Sequence, residues 1–269
     1  MYRKFAGLMV LLAGALVGAC GEDATEPSPQ RTVAVRFGTA ATSAGGVSAA
    51  VVPAFGSAAL DEVLVTGTNG TLSITDIRFI VEEFELKRAD VDCDTAANED
   101  ACEKIEAPPS FVDLPLGPGA VTAASAQVET GSFEEIEFEV DDVEVDADDS
   151  AEEQAQTQAL LATIRQTFPD WPGKASMIVI GSFTPTGGTA RNFRVYFRAE
   201  IEIEREFEPP LVIDQTNRNL TIEVVPENWF KQPDGTVLDL SQFDFATTAQ
   251  LVEFELEMDE GFEQKIDVD

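Results

Sequence analysis

The chain has 269 residues, 50 of them Asp or Glu against 17 Lys or Arg, and it has no histidine. Its formal net charge of −33 sets it against nucleic acid and anionic lipid, and favours solubility through self-repulsion. The missing imidazole removes the commonest general base near neutral pH, any Ser-His triad, and the usual zinc, haem and copper sites, while carboxylate pairs of the glycosidase kind survive on composition alone.

Arg3 and Lys4 head an apolar run from Phe5 to Val17, and Leu16, Val17, Gly18 and Ala19 lead into Cys20. The run is shorter than the roughly 20 apolar residues a spanning helix needs. It reads as a bacterial lipoprotein signal over residues 1–19 with Cys20 as the lipidated residue; an ordinary signal peptide cut at Ala19 is the plainer alternative. Acyl chains on Cys20 would hold the protein to a membrane at about 0.8 kcal/mol per buried CH₂. Gly21 stands where an inner-membrane retention aspartate would stand, which favours the outer membrane or cell surface. Residues 20–30 carry Glu22, Asp23, Glu26, Pro27 and Pro29, nothing to bury, and read as a tether.

Residues 31–246 read as a mainly β domain. Val33, Val35 and Phe37 alternate in a first strand. From Thr71 the apolar phase slips twice: Leu72 and Ile74, then Ile77, Phe79 and Val81, then Phe84 and Leu86. Each slip would turn the core face outward unless the strand bulges or breaks, which predicts irregularities at Asp76 and at Glu82-Glu83. A third dislocation, after Ile136, Phe138 and Val140, falls at Asp141-Asp142. Phe193 to Phe207 keeps one phase throughout and predicts a long, bent strand paired with 175–183 through the Gly187-Gly188 turn. Residues 219–225 supply another strand, and Asp234-Gly235 signals a turn.

One helix is marked, over residues 150–168, by the capping box of Ser150 and Glu153, the apolar spacing of Leu160, Leu161, Ile164 and Phe168, and the stop at Pro169. The acidic C-terminal segment 247–269 fits either period; Phe262 and Ile266 extend only the helical one, so a helix is expected there. Sequential strands with one or two peripheral helices and no βαβ rhythm predict an antiparallel β-sandwich.

Cys93 and Cys102 bracket an acidic loop and suit a disulfide in an oxidising compartment, worth about 2–3 kcal/mol through the unfolded state. Metal binding by the two thiols is the alternative, poor for zinc without histidine. The same loop gathers Asp92, Asp94, Glu99 and Asp100, the best candidates for a Ca²⁺ site, against the plain reading of solvated loop charge. A glutamate ladder, Glu135, Glu137 and Glu139 with Glu200, Glu202 and Glu204, reads either as an outward face that blocks edge pairing or as a surface for a basic partner. Arg194, Arg198 and Arg205 are expected to neutralise part of it. Trp171 and Trp229 are candidates for stacking on a ligand, with packing against the sheets as the alternative.

The segments Gly70 to Asp76, Phe111 to Leu114 and Gly131 to Ile136 resemble those of an uncharacterised family of bacterial lipoproteins with an immunoglobulin- or transthyretin-like sandwich. The resemblance implies a surface lipoprotein and brings no catalytic residues. Together these readings point to a lipid-anchored, non-enzymatic protein of the bacterial envelope that binds an envelope protein, a glycan or a divalent cation, with no nucleic acid partner. The rivals are a carboxylate-based polysaccharide hydrolase, which needs a cleft beside Trp171 or Trp229, and a self-assembling structural protein.

Overall fold

A computed structural model describes residues 30–39, 62–89, 107–147, 150–214, 219–255 and 262–268. Among these residues twelve strands form two sheets. The smaller contains β12 (Phe262–Val268), β10 (Asn219–Val224), β1 (Gln30–Thr39) and β6 (Ala120–Glu129), in that order. The larger contains β2 (Val63–Gly67), β3 (Gly70–Val81), β8 (Met177–Pro185), β9 (Arg191–Ile213), β7 (Gly131–Val140) and β4 (Glu83–Arg88), with β5 (Ser110–Asp113) on β3 and β11 (Val252–Glu255) on β9. Pairing is antiparallel except for β1 with β10 and β11 with β9, which are parallel. The inner faces meet in one core: Val33, Val35 and Phe37 from β1 and Leu220, Ile222 and Val224 from β10 pack toward Ile74, Phe79, Val195, Phe138 and Ile203. Phe37 stands edge-on to both Phe79 and Phe138, at 5.4 and 5.3 Å between ring centres, and so ties the two ends of the larger sheet together.

All three expected dislocations are present. The β3–β8 register slips between Ile74 and Asp76, β3 gives way to β4 at Glu82, and β7 stops at Val140 before Asp141. At 23 residues, β9 is about four times an ordinary strand, and one partner does not span it. Its first part, Arg191 to Phe197, pairs with β8; its later part, Ile201 to Ile213, pairs with β7. Both partners lie between β9 and the line of β3 and β4, end to end. Ser176 fills the join. Its backbone N–H donates to Phe197 O at 3.0 Å, its hydroxyl donates to Ala199 O at 2.7 Å, and that hydroxyl accepts from Ala199 N at 2.6 Å, so a fully buried side chain carries the ladder across the gap. At Gly181 the sheet is closed tightly: a Cβ there would stand 2.1 Å from Ser73 O, so no other residue fits.

Helix α1 (Ala151–Thr167) begins as expected. Ser150 N donates to Glu153 Oε2 at 2.8 Å and Glu153 N donates to Ser150 Oγ at 3.2 Å, a reciprocal cap that satisfies two otherwise orphan donors. Ile164 and Phe168 face the outer surface of the larger sheet and form a second cluster with Ile80, Ile178, Tyr196 and Trp171. The short helices α2 (Pro226–Phe230) and α3 (Phe245–Thr248) follow later in the chain. Among the described residues no helix is long and apolar enough to cross a membrane.

The C-terminal segment corrects the helical expectation. Among its described residues Phe245–Thr248 is helical, while β11 and β12 are strands. Val252 meets Phe197 along the side of β9 opposite β8, and Ile266 meets Ile222 on β10, so open strand edges decided between two periods that the local sequence left balanced.

Candidate functional site

The outer surface of the larger sheet has two halves. Over β3, β8 and the start of β9 it is apolar and covered by α1. Over β4, β7 and the later part of β9 it is acidic. Register aligns three rows across these strands: Glu83, Glu139 and Glu202; Glu85, Glu137 and Glu204; Lys87, Glu135 and Glu206. Alternation explains the arrangement, because Phe84, Leu86, Ile136, Phe138, Ile201 and Ile203 occupy the intervening positions and fill the core. The bulge between Phe133 and Glu135 absorbs Glu134 and brings Glu135 onto the outer face.

Directly opposed like charges each cost about 0.2–1 kcal/mol on a sheet, and eight of these nine positions are glutamate. The ninth supplies the local cation. The Lys87 ammonium pairs with Glu135, and with Glu137 at 3.1 Å. Hydrogen bonding to Glu135 raises the Lys87 pKa well above the ordinary lysine range, against the opposing effect of burial. Glu135 is buried, with its side chain 11% exposed, whereas Glu202, Glu204 and Glu206 lie exposed toward the β9 side. A hydrogen bond with Glu135, followed by that residue's charge, pushes the Glu204 carboxyl above the ordinary carboxylate range. Glu85, Glu137 and Glu139, with Phe138, line a small recess in this face.

At the end of the face next to the Ser176 join lies a denser group. Carboxylate oxygens of Glu82, Glu139 and Asp141 lie within 4.8 Å of one another, a grouping able to hold a cation. Burial first, and then the charges of Asp141 and Glu144, raise the Asp142 pKa; burial raises that of Asp141, against a hydrogen bond from Asp142 N–H. Arg198 lies among them, 2.9 Å from Glu200, 3.8 Å from Asp142 and 3.9 Å from Glu253.

The residues expected to act divide three ways. Cys20, Cys93, Cys102, Asp92, Asp94, Glu99 and Asp100 lie outside the described residues. Trp171 and Trp229 are 5% and 3% exposed, the first between Phe111, Phe168 and Tyr196, the second against Phe79 and Phe230, so packing claims both and neither offers a face for stacking. The ladder glutamates do share one face, joined by Glu83, Glu85 and Glu206, which the sequence reading passed over. Their signal was present: Glu83, Glu85 and Lys87 alternate with Phe84 and Leu86. The expected neutralisation by arginine is present in part: Arg198 pairs with Glu200 of the ladder at 2.9 Å, whereas Arg194 pairs with Asp170 beside Tyr196 on the covered half, and Lys87 is the cation beside Glu135 and Glu137. The side chain of Arg205 lies outside the described residues.

No family model matches the chain, and no curated protein matches it, so the lipoprotein resemblance rests on its motifs. Among solved structures, MbnP from Methylosinus trichosporium aligns over 72% of this chain and 76% of its own, at 15% identity and a TM-score of 0.34.

Proposed function

We propose that the chain is a lipid-anchored, non-enzymatic protein of the bacterial envelope, held at the outer membrane through Cys20, whose acidic half-sheet is its binding surface. The observation that supports this reading is the register of β4, β7 and β9, which concentrates carboxylates on a sheet face that no described helix covers, against electrostatic cost, while the adjoining half of the same surface packs against α1. A cleft with paired carboxylates beside Trp171 or Trp229 would favour the hydrolase rival; both rings are packed in the core.

Two arms test the reading. Replacing Cys20 by Ser should abolish incorporation of labelled fatty acid and release the protein from membranes; retention of label would remove the anchor. A photo-crosslinking residue at position 204, compared with one at exposed position 165 on α1 of the covered half, should capture envelope components on intact cells only from the acidic half. Equal capture from both positions would remove the binding role of that face.

A further inference from the structure

We propose that Asn69-Gly70 is a latent site of spontaneous chemical modification, deamidation through a cyclic imide, held off by a clasp between Asn69 and Val237. The side-chain amide of Asn69 copies a strand partner: Nδ2 donates to Val237 O at 2.8 Å and Oδ1 accepts from Val237 N at 2.9 Å. Its main-chain carbonyl accepts from Thr186 N at 3.0 Å. The clasp holds the turn between β2 and β3 against residues 231–237, which fold back through the Lys231–Val237 bridge and a turn closed by Gly235 N donating to Gln232 O at 2.9 Å. Beside it, Thr68 N donates to Gly235 O at 2.9 Å. Val237 is 2% exposed and belongs to the inner core with Trp229, Phe230 and Leu240.

Both residues of the pair are fixed by packing, so the labile sequence is built into the fold. A Cβ at position 70 would stand 2.4 Å from Thr184 O and 2.8 Å from the Phe183 ring, which admits only glycine. Position 69 needs a side chain that donates to one main-chain group and accepts from its neighbour, which an amide does and a carboxylate does not. Glycine in turn leaves its own nitrogen unhindered for attack on the preceding side chain. In the reaction Gly70 N bonds to Asn69 Cγ and gives up its proton, the Cγ–Nδ2 bond breaks and ammonia leaves. Water then opens the ring at either carbonyl, to aspartate or isoaspartate. Ring closure swings Cγ onto Gly70 N and so breaks both bonds to Val237; local opening of residues 231–237 is what starts it. Either product carries a carboxylate, which has no N–H for Val237 O and repels it, so the clasp does not re-form at neutral pH.

The test follows deamidation at Asn69 by peptide mass spectrometry, in the full chain in neutral detergent at mildly alkaline pH, folded and in urea, with Asn192 and Asn228 as internal references. Asn69 should react about a hundredfold more slowly in the folded chain. Val237→Ala loosens residues 231–237 without touching the reacting atoms, and should recover about tenfold of that rate. Asn69→Asp reproduces one product directly. Its loss of urea stability relative to wild type should shrink as pH falls through the raised pKa of the new carboxyl, because the protonated acid again donates to Val237 O. Asn69→Ala removes the clasp without adding a charge and should be destabilised alike at every pH. Equal rates in folded and unfolded chains, or a rate unchanged by Val237→Ala, would overturn the clasp as guard. No reaction at Asn69 in urea would overturn the site. A deficit in Asn69→Asp that acid leaves unchanged would overturn the lost donor as its consequence.

Discussion

The two halves of the larger sheet's outer surface share a strand, β9, and differ in almost everything else. On one half Tyr196 is fully buried among Trp171, Phe245 and Ile178, its hydroxyl donating to Asp170 at 3.0 Å. Ten residues further along the same strand and on the same face, Glu206 stands exposed beside the row of Glu135 and Lys87. Across the three glutamate rows the backbone register runs without a shift, as it does between β8 and β9, so the difference lies in what the side chains meet. Where α1 supplies an apolar stripe, burial stabilises the surface at about 25 cal/mol per Å². Where no described helix covers it, the same alternation leaves charge crowded against charge. The sheet therefore folds from its inner face, and its outer face is free to be specialised half by half.

The largest effect expected from breaking this contrast is on the covered half. Trp171→Ala removes a ring that touches Phe111, Phe168 and Tyr196, and should cost about 3–5 kcal/mol in urea unfolding. A loss below about 1 kcal/mol would mean that α1 is not held by this cluster. The join between the halves comes next. Ser176→Ala leaves the buried Ala199 N–H without its acceptor and should cost about 1–3 kcal/mol, while Ser176→Thr should recover part of it if the added methyl is accommodated.

Acid titration gives a smaller and more selective effect. The Asp141, Asp142 and Glu204 carboxyls are raised above their ordinary values. In the window between the ordinary and the raised pKa the folded state binds more protons than the unfolded chain. Stability from these groups therefore grows as pH falls through the raised pKa and is lost as pH rises through it. Glu153, Asp234 and Asp239 are lowered, and their contribution fades only as pH falls below the ordinary carboxylate range. The melting temperature should thus rise as pH is lowered from neutrality toward the ordinary carboxylate range, and Asp142→Asn/Glu204→Gln should shrink the rise. A rise unchanged in that variant would place the pH dependence elsewhere.

Much of this contrast was legible in the sequence, and the part that was not has a physical reason. The phase slips at Asp76, Glu82 and Asp141 announce the bulge and the two strand ends, because a misphased strand would bury charge. The capping box and Pro169 bound α1 to within a residue or two. Single-strand patterns, however, carry no information on which ladders become neighbours. Glu135 and Glu204 could be named as acidic and outward, but Glu85 between the same pleats, Lys87 as their cation, and the approach of Glu82 to Asp141 emerge only from register. The C-terminal strands were left undecided for the same reason, since both periods fit the segment locally and the pairing of Val252 with β9 and of Ile266 with β10 decides between them.

The most direct test of the central claim, that the acidic half is kept for binding and not for folding, is the urea unfolding free energy of Glu85→Gln/Glu137→Gln/Glu204→Gln against the wild-type chain at low salt. Removing opposed charges should leave the protein as stable or more stable, by about 0.2–1 kcal/mol for each opposed pair relieved, with the gain shrinking as sodium chloride screens the wild type. A clear loss of stability at every salt concentration would contradict the account and make the glutamate rows part of the fold's own support.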